Sequence, residues 1–498
     1  MGSNRRDFIK FVVAGAVASG CPIDLTQLAQ AATHPIRHKL DTEENVICHK
    51  VRDGVQFERP PVSGRHELVI IGGGMSGMTA AYRSLDRDFL LLEKESYWGG
   101  NAYEMEFEGN YYATGAAFVE SDVAGGLAKE LGLAPLPISN WDGSIIKGEF
   151  VADFWGAGID KAPYPDTVKE SFKKFRSEMM KIDFQKRAVE LDNLPFTHFM
   201  NGYSPEVKQW WDCYGPSNWA TLAAETSSLV AIGELQGIAG DDRKDDRTTW
   251  PGGLGALSKK LADKLRETHS DRLLGGCTVV AISPQKKEVN VTYMRHGQMK
   301  TIAAKAVIMA IPKYITARLV EGLPPAQIEA MRKIRYAPYP VVNLIYDQPV
   351  FNKGYDTWCP GNSFTDVIVA DWTIRNQAGY APKHHILTCY TPMRETDRTL
   401  FLTEEGTISV AKRVARDVRK NIPGCVVDPV EVHIFRRGHP MFMVTPGNFT
   451  HTLPIVRKPF DRVFFANTDS QGPVSTTTGA IQAAERCIQE VADRMKKA

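Results

Sequence analysis

No stretch of the 498-residue chain is long and apolar enough to cross a membrane, which takes about 20 consecutive apolar residues. Charge of one sign is also missing. Sixty Lys and Arg stand against 58 Asp and Glu, a formal net charge of +2, so no polyanionic partner is implied and nucleic acid is excluded as a ligand class. Cysteine is sparse and unpatterned. Of eight, Cys21 lies near the N-terminus, and the other seven (Cys48, Cys213, Cys277, Cys359, Cys389, Cys425, Cys487) are scattered, odd in number and without a C-x-x-C. Neither a metal knuckle nor a disulfide framework is indicated. Cys48-His49 lacks the first cysteine of a C-x-x-C-H haem site, because Glu44-Asn45-Val46-Ile47 precedes it. It reads as a structural cysteine in an N-terminal arm. What remains is ordinary for a soluble globular protein: 43% hydrophobic and 24% charged residues. The length exceeds one simple core, so two intertwined domains are expected.

The first thirty residues read as an address rather than as fold. Asn4-Arg5-Arg6-Asp7-Phe8-Ile9-Lys10 resembles the twin-arginine (Tat) export motif, and the short run 11–20 behind it is a targeting h-region. Ala29-Gln30-Ala31 resembles an A-x-A cleavage site, which would leave a soluble product beginning near Ala32. Ala18-Ser19-Gly20-Cys21 is a looser match to a lipoprotein box that would anchor the chain through Cys21. Cleavage after Ala31 is the favoured reading. The expectation is a periplasmic protein that meets the Tat translocase during export, with signal 1–31 and an arm 32–63.

After Arg59-Pro60-Pro61 the pattern changes. Leu68-Val69-Ile70-Ile71 is a continuous apolar run, as a strand buried on both faces requires. Gly72, Gly74 and Gly77 follow as G-x-G-x-x-G, and then a helix-forming stretch carries Ala80-Ala81. The glycines serve a tight turn, close approach to a pyrophosphate and close helix–strand packing, with the helix N-terminus facing the phosphates. A second strand, Phe89-Leu90-Leu91-Leu92, ends in Glu93, about 20 residues past the glycines, where an acid takes ribose hydroxyls. The fold class is therefore α/β, with a Rossmann-type dinucleotide-binding domain.

Several further motifs occur in a fixed order: Glu93 to Gly99-Gly100-Asn101; Ala113-Thr114-Gly115-Ala116-Ala117; Pro251-Gly252-Gly253-Leu254-Gly255-Ala256-Leu257; Val307-Ile308-Met309-Ala310-Ile311-Pro312; Phe464-Phe465-Ala466-Asn467-Thr468-Asp469 and Gly479-Ala480. Together they resemble the flavin amine oxidase, phytoene desaturase and protoporphyrinogen oxidase superfamily. The resemblance implies bound FAD, contacted by Gly72, Gly74, Met75, Ser76 and Gly77, by Glu93 and Lys94, and by Gly100, Asn101, Gly115 and Ala116. It further implies Val279 at the adenine through its backbone, Asp469 near the ribityl and pyrophosphate, and Thr477 at the start of the terminal helix. That helix follows a string of capping residues, Ser475-Thr476-Thr477-Thr478, and its N-terminus suits the negative charge of a reduced flavin. The resemblance also implies a discontinuous FAD domain (64–119, 245–315 and 455–498) with an inserted α+β substrate domain (120–244 and 316–454). Trp210-Trp211, Tyr214 and Trp219 read as core packing before they read as a substrate wall.

The sequence departs from that family at informative places. The strand Pro340-Val341-Val342-Asn343-Leu344 has no lysine where amine oxidases carry one beside the flavin. Thr476 stands where one wall of an aromatic amine cage is usual. Asn101 replaces the arginine of GG-R, and Asn467 replaces a glycine. Three functions stay open. The first is a dehydrogenase that moves hydride from an amine C–N bond to FAD and passes electrons to a cytochrome-like protein acceptor; a polyamine would need acids such as Glu120 and Asp122. The second is a C–C desaturase or isomerase acting on a lipid or isoprenoid. The third is a redox-silent FAD-binding assembly protein. The small-molecule amine has the edge, with no metal, and no catalytic residue is assigned; His439 and Tyr390 are weak candidates that read better as structural.

Overall fold

Leu68, Val69, Ile70 and Ile71 are all buried, and they alternate between two apolar cores: Val69 and Ile71 face one, Leu68 and Ile70 the other. Side chains of a strand alternate between sheet faces, so a continuous apolar run needs cover on both sides. In the computed structural model, which describes residues 36–496 apart from Ser121 and Asp242, this strand (Val62–Ile71) lies inside a seven-stranded sheet. Its parallel neighbours are Phe89–Leu92 on one side and Gln298–Met309 on the other, and Val463–Phe465 pairs in parallel beyond. Cys277–Pro284 and Val289–Arg295 complete an antiparallel flap. The helices Met75–Tyr82, Gly255–His269 and Thr477–Lys496 cover one face through Met78, Leu257, Leu261, Ile481 and Ala484.

A second, eight-stranded sheet holds segments from the rest of the chain. At its centre Val341–Tyr346 pairs antiparallel with His385–Tyr390 and Glu431–Arg436. The helix Glu404–Asn421 lays Val410, Val414 and Val418, one turn apart, onto Val342, Leu344 and Tyr346. Between the sheets, helices Asp166–Met180, Pro205–Trp219 and Ser228–Ala239 enclose an aromatic core. Trp210, Trp211, Trp219, Phe154, Phe172 and Phe175 are each almost wholly buried there. The seven described cysteines are free.

The arm differs from its sequence reading. Arg37–Thr42 is an edge strand of the eight-stranded sheet, in parallel register with Glu431–Arg436, and a helix, Val46–Arg52, follows. Its half-exposed string RHKLDT has a weak strand signal. The hydrogen bonds that make it a strand come from a partner almost a whole chain away. The twin-arginine motif, both candidate processing sites and Cys21 lie outside the described residues.

Candidate active site

The carboxyl ends of the parallel strands converge on one crevice, the place where open α/β sheets bind ligands. Gly72 N donates to Leu92 O at 2.8 Å, folding the chain over the second strand. A Cβ on Gly77 would stand 1.7 Å from Gly72 O, so only glycine lets the helix Met75–Tyr82 start here. Gly74 caps that helix without a side-chain bond, which leaves the first-turn N–H groups for an anion. Met75 turns into the apolar core and the Ser76 hydroxyl donates to Ala466 O, so both present backbone, not side chain, to the crevice. The doublet Gly99-Gly100, at φ 120° and 59°, docks against this loop: Gly99 N donates to Gly73 O at 2.9 Å, and a Cβ on Gly100 would meet Gly74 Cα at 3.1 Å.

Glu93 is buried at the end of the second strand. One carboxylate oxygen accepts Glu95 N at 2.8 Å and the other accepts Gly73 N at 2.5 Å. Each oxygen keeps one lone pair, enough for two vicinal hydroxyls. Burial raises its pKa, opposed by Lys94 and the two backbone bonds. Lys94 turns away, toward Glu44 O at 3.1 Å and the Glu95 carboxylate. Val279 sits in the flap strand at a bulge between Val279 and Ala281. Asn101 Nδ2 donates to Pro440 O at 2.7 Å, and Asn101 O accepts Ala116 N at 3.0 Å. A Cβ on Gly115 would lie 2.1 Å from that same oxygen. The terminal helix is capped by Thr476, whose Oγ1 accepts Gly479 N at 3.0 Å, and Thr477 is its first residue.

Asp469 is fully buried and accepts four donors. Lys313 Nζ and N lie at 2.7 and 2.9 Å, Asn467 Nδ2 at 2.9 Å, and the Tyr336 hydroxyl completes the set. Lys313 escaped sequence reading; its one signal is a lysine directly after the strand-ending Ala310-Ile311-Pro312. A carboxylate so saturated locks the strand end to the terminal segment, and its contribution toward a cofactor is made through that lock.

Beyond the Gly115 segment Ala113, Ala117, Ile138, Val341, Tyr355, Ile368 and Tyr390 pack into a buried apolar cluster, with Phe118 and Tyr339 against it. Tyr339 and Tyr390 meet edge to face, 5.8 Å between ring centroids at 72°. Tyr390 OH donates to Gly115 O and Tyr339 OH pairs with Ser217 Oγ at 2.7 Å. Val341, from the strand without a lysine, is part of this cluster. His439 stacks on Tyr314 at 4.7 Å outside that cluster, and burial, with Arg398 nearby, pushes its pKa down to about 4.

Phe118 packs on Tyr355 at 6.1 Å and with its other side walls a cavity of about 250 Å³. Trp141, Trp155, Trp210, Tyr214 and Trp358 line it, together with Glu120, Asp142 and Glu234. The aromatic cluster expected as core is thus both core and wall. Arg247 holds Asp245 at 2.8 Å and also pairs with Asp142. Arg243 holds Asp153 at 2.6 and 2.7 Å while lying 4.5 Å over Trp141. No such partner reaches Glu120 or Glu234 among the described residues. Tyr214 OH donates to Glu234. Glu120 is exposed and contributes to the lining of this cavity. Desolvation first, then Glu234, push its carboxyl up to about 8. Burial raises Glu234 as well. The side chain of Asp122 lies outside the description. Glu234 carries no motif and was missed.

A glycine cradle, a buried acid at the end of the second strand and a second sheet packed against them suit an FAD-dependent oxidoreductase. The model of the family described as flavin containing amine oxidoreductase matches residues 75–492. The chain belongs to that family. Oxidoreductase PigB of Serratia sp. is 23% identical over 83% of this chain and 73% of its own. Human amine oxidase [flavin-containing] B is 22% identical over 88% of each. Among solved structures, a putrescine oxidase double mutant superposes with a TM-score of 0.69 at 16% identity, covering 86% of this chain and all of that one.

Proposed function

We propose that the protein is an amine dehydrogenase whose preferred substrates carry a second ammonium group, as diamines and polyamines do. The observation that carries this reading is the pair Glu120 and Glu234 in a ring-lined cavity, neither held in an ion pair among the described residues although the Arg247 charge acts on both, with Phe118 joining the cavity wall to the apolar cluster. Carboxylates and ring faces both attract an organic cation, and desolvation strengthens each. A putrescine oxidase among the structural neighbours is consistent with that chemistry. Bound FAD supplies the acceptor for hydride from the C–N carbon. The chain itself contributes the apolar cluster around Tyr339 and Tyr390, which excludes water from the Gly115 segment. The absence of a lysine on the strand Pro340-Val341-Val342-Asn343-Leu344 supports electron delivery to a protein acceptor of cytochrome type. The Arg5-Arg6 motif supports export to the periplasm, a route that suits a protein folded around its cofactor.

Anaerobic titration of the yellow holoprotein tests this. Diamines bleach the oxidised-flavin absorbance, monoamines of equal length do so at about tenfold higher concentration, a difference of about 1.4 kcal/mol, and Glu234→Gln erases the difference. Bleaching by apolar polyenes alone would move the protein to desaturation, and bleaching by dithionite alone to an assembly role.

A further inference from the structure

Arg437 is the buried cation that the reading so far leaves without a task. Its side chain is 1% exposed at the end of the strand Glu431–Arg436. Its guanidinium donates to Thr114 O, to Gly100 O at 3.1 Å and to Thr114 Oγ1 at 3.2 Å, and lies 4.0 Å over the Phe435 ring. Nη1 comes within 3.3 Å of the position a Cβ on Gly115 would take. It therefore touches both the glycine doublet and the segment that resembles the family's flavin-contact element.

Buried arginines normally carry a hydrogen-bonded carboxylate, because an uncompensated charge inside a protein is strongly destabilising. Here Nε has no hydrogen-bond partner. The nearest acid is Glu43, 3.8 Å from Nε and partly exposed, delivered by the parallel register that sets Thr42 opposite Arg436; Glu95 acts more weakly. Burial accordingly disfavours the charged guanidinium, with Glu43 opposing. The charge lies at a loop that lacks its own arginine: Asn101 follows the doublet, and its amide ties that loop to Pro440, three residues past Arg437. The cation missing at one end of the crevice is thus brought in from the other.

We propose that Arg437 supplies the positive charge that holds FAD at the glycine doublet and favours its reduced, more negative form. The proposal rests on FAD binding and not on the amine reading. Three measurements test it on purified protein: the FAD dissociation constant, the midpoint potential of the holoprotein and the melting temperature of the apoprotein. Arg437→Gln weakens FAD binding at least tenfold. It lowers the potential by at least about 30 mV, the equivalent of a tenfold loss for the reduced over the oxidised form in a two-electron couple. Its apoprotein melts at or above wild type, because an uncompensated charge is gone. Arg437→Lys keeps most of the potential. Glu43→Gln, which leaves the guanidinium in place, tightens FAD and raises the potential. A merely structural arginine gives the opposite pattern: a Gln apoprotein melting as far below wild type as the holoprotein does, with potential unchanged. Wild-type affinity and potential in Glu43→Gln overturn the proposal even if the Arg437 variants fail to accumulate. Neither failure touches the amine reading, which is decided by bleaching of the wild type.

Discussion

The FAD crevice and the acidic cavity behind Phe118 sit a few residues apart in sequence and are built on opposite principles. The crevice is made of backbone. Gly72, Gly77, Gly99 and Gly115 stand where a Cβ would collide with main-chain carbonyls, and Met75 and Ser76 turn their side chains away. The cavity is made of side chains: Glu120, Glu234, Trp210 and Trp358 come from four separate segments. A backbone cradle tolerates one residue type per position and so leaves a motif. A cavity of side chains can be assembled in many ways and leaves none.

Gly77→Ala breaks the first region most severely. With Gly72 O 1.7 Å from the new methyl, the loop and helix must separate, and the purified protein is expected to be colourless, without bound FAD. Retention of stoichiometric flavin would sink the idea that close approach defines the crevice. Next in size is a place where the crevice does depend on side chains. Lys313→Met leaves the Asp469 carboxylate buried beside three remaining donors, and unfolding in denaturant should show a loss of about 3–5 kcal/mol. Adding Asp469→Leu recovers part of it, since removing both charges is milder than orphaning one. A single-variant loss below about 1 kcal/mol would show that the lock is incidental.

The smallest effect sharpens the second region. The Glu120 pKa is raised to about 8, so below that pH Glu120 holds a proton and above it its carboxylate is available to a cation. The diamine-to-monoamine KM ratio should therefore fall several-fold between pH 6.5 and 9. In Glu120→Gln the ratio is expected to be flat across the range. A slope that survives in that variant assigns the titration to another group.

The same contrast explains what the sequence alone made legible. The run Leu68-Val69-Ile70-Ile71, the glycines after it and the acid at Glu93 announce the α/β sheet and its crevice, because burial on both faces and tight turns restrict residue choice locally. Glu120 was singled out only by its nearness to Gly115; Glu234, its partner, lies mid-helix with nothing to mark it. Only the meeting of distant segments shows that Lys313 locks Asp469 and that Arg437 has no locked partner. The edge strand Arg37–Thr42 was read as arm because its own residues barely favour a strand. Its existence is decided by Glu431–Arg436.

That edge strand fixes an order of events. Residues 37–42 are among the first described residues to be synthesised, yet their only strand partner is residues 431–436, and the sheet cannot accept them until nearly all the chain exists. Contacts of such long sequence separation form late. From the same segment, Glu44 is fastened to Glu95 and Lys94 beside Glu93. Residues 37–44 can therefore dock only once both sheets are in place, and their docking clasps one sheet to the other.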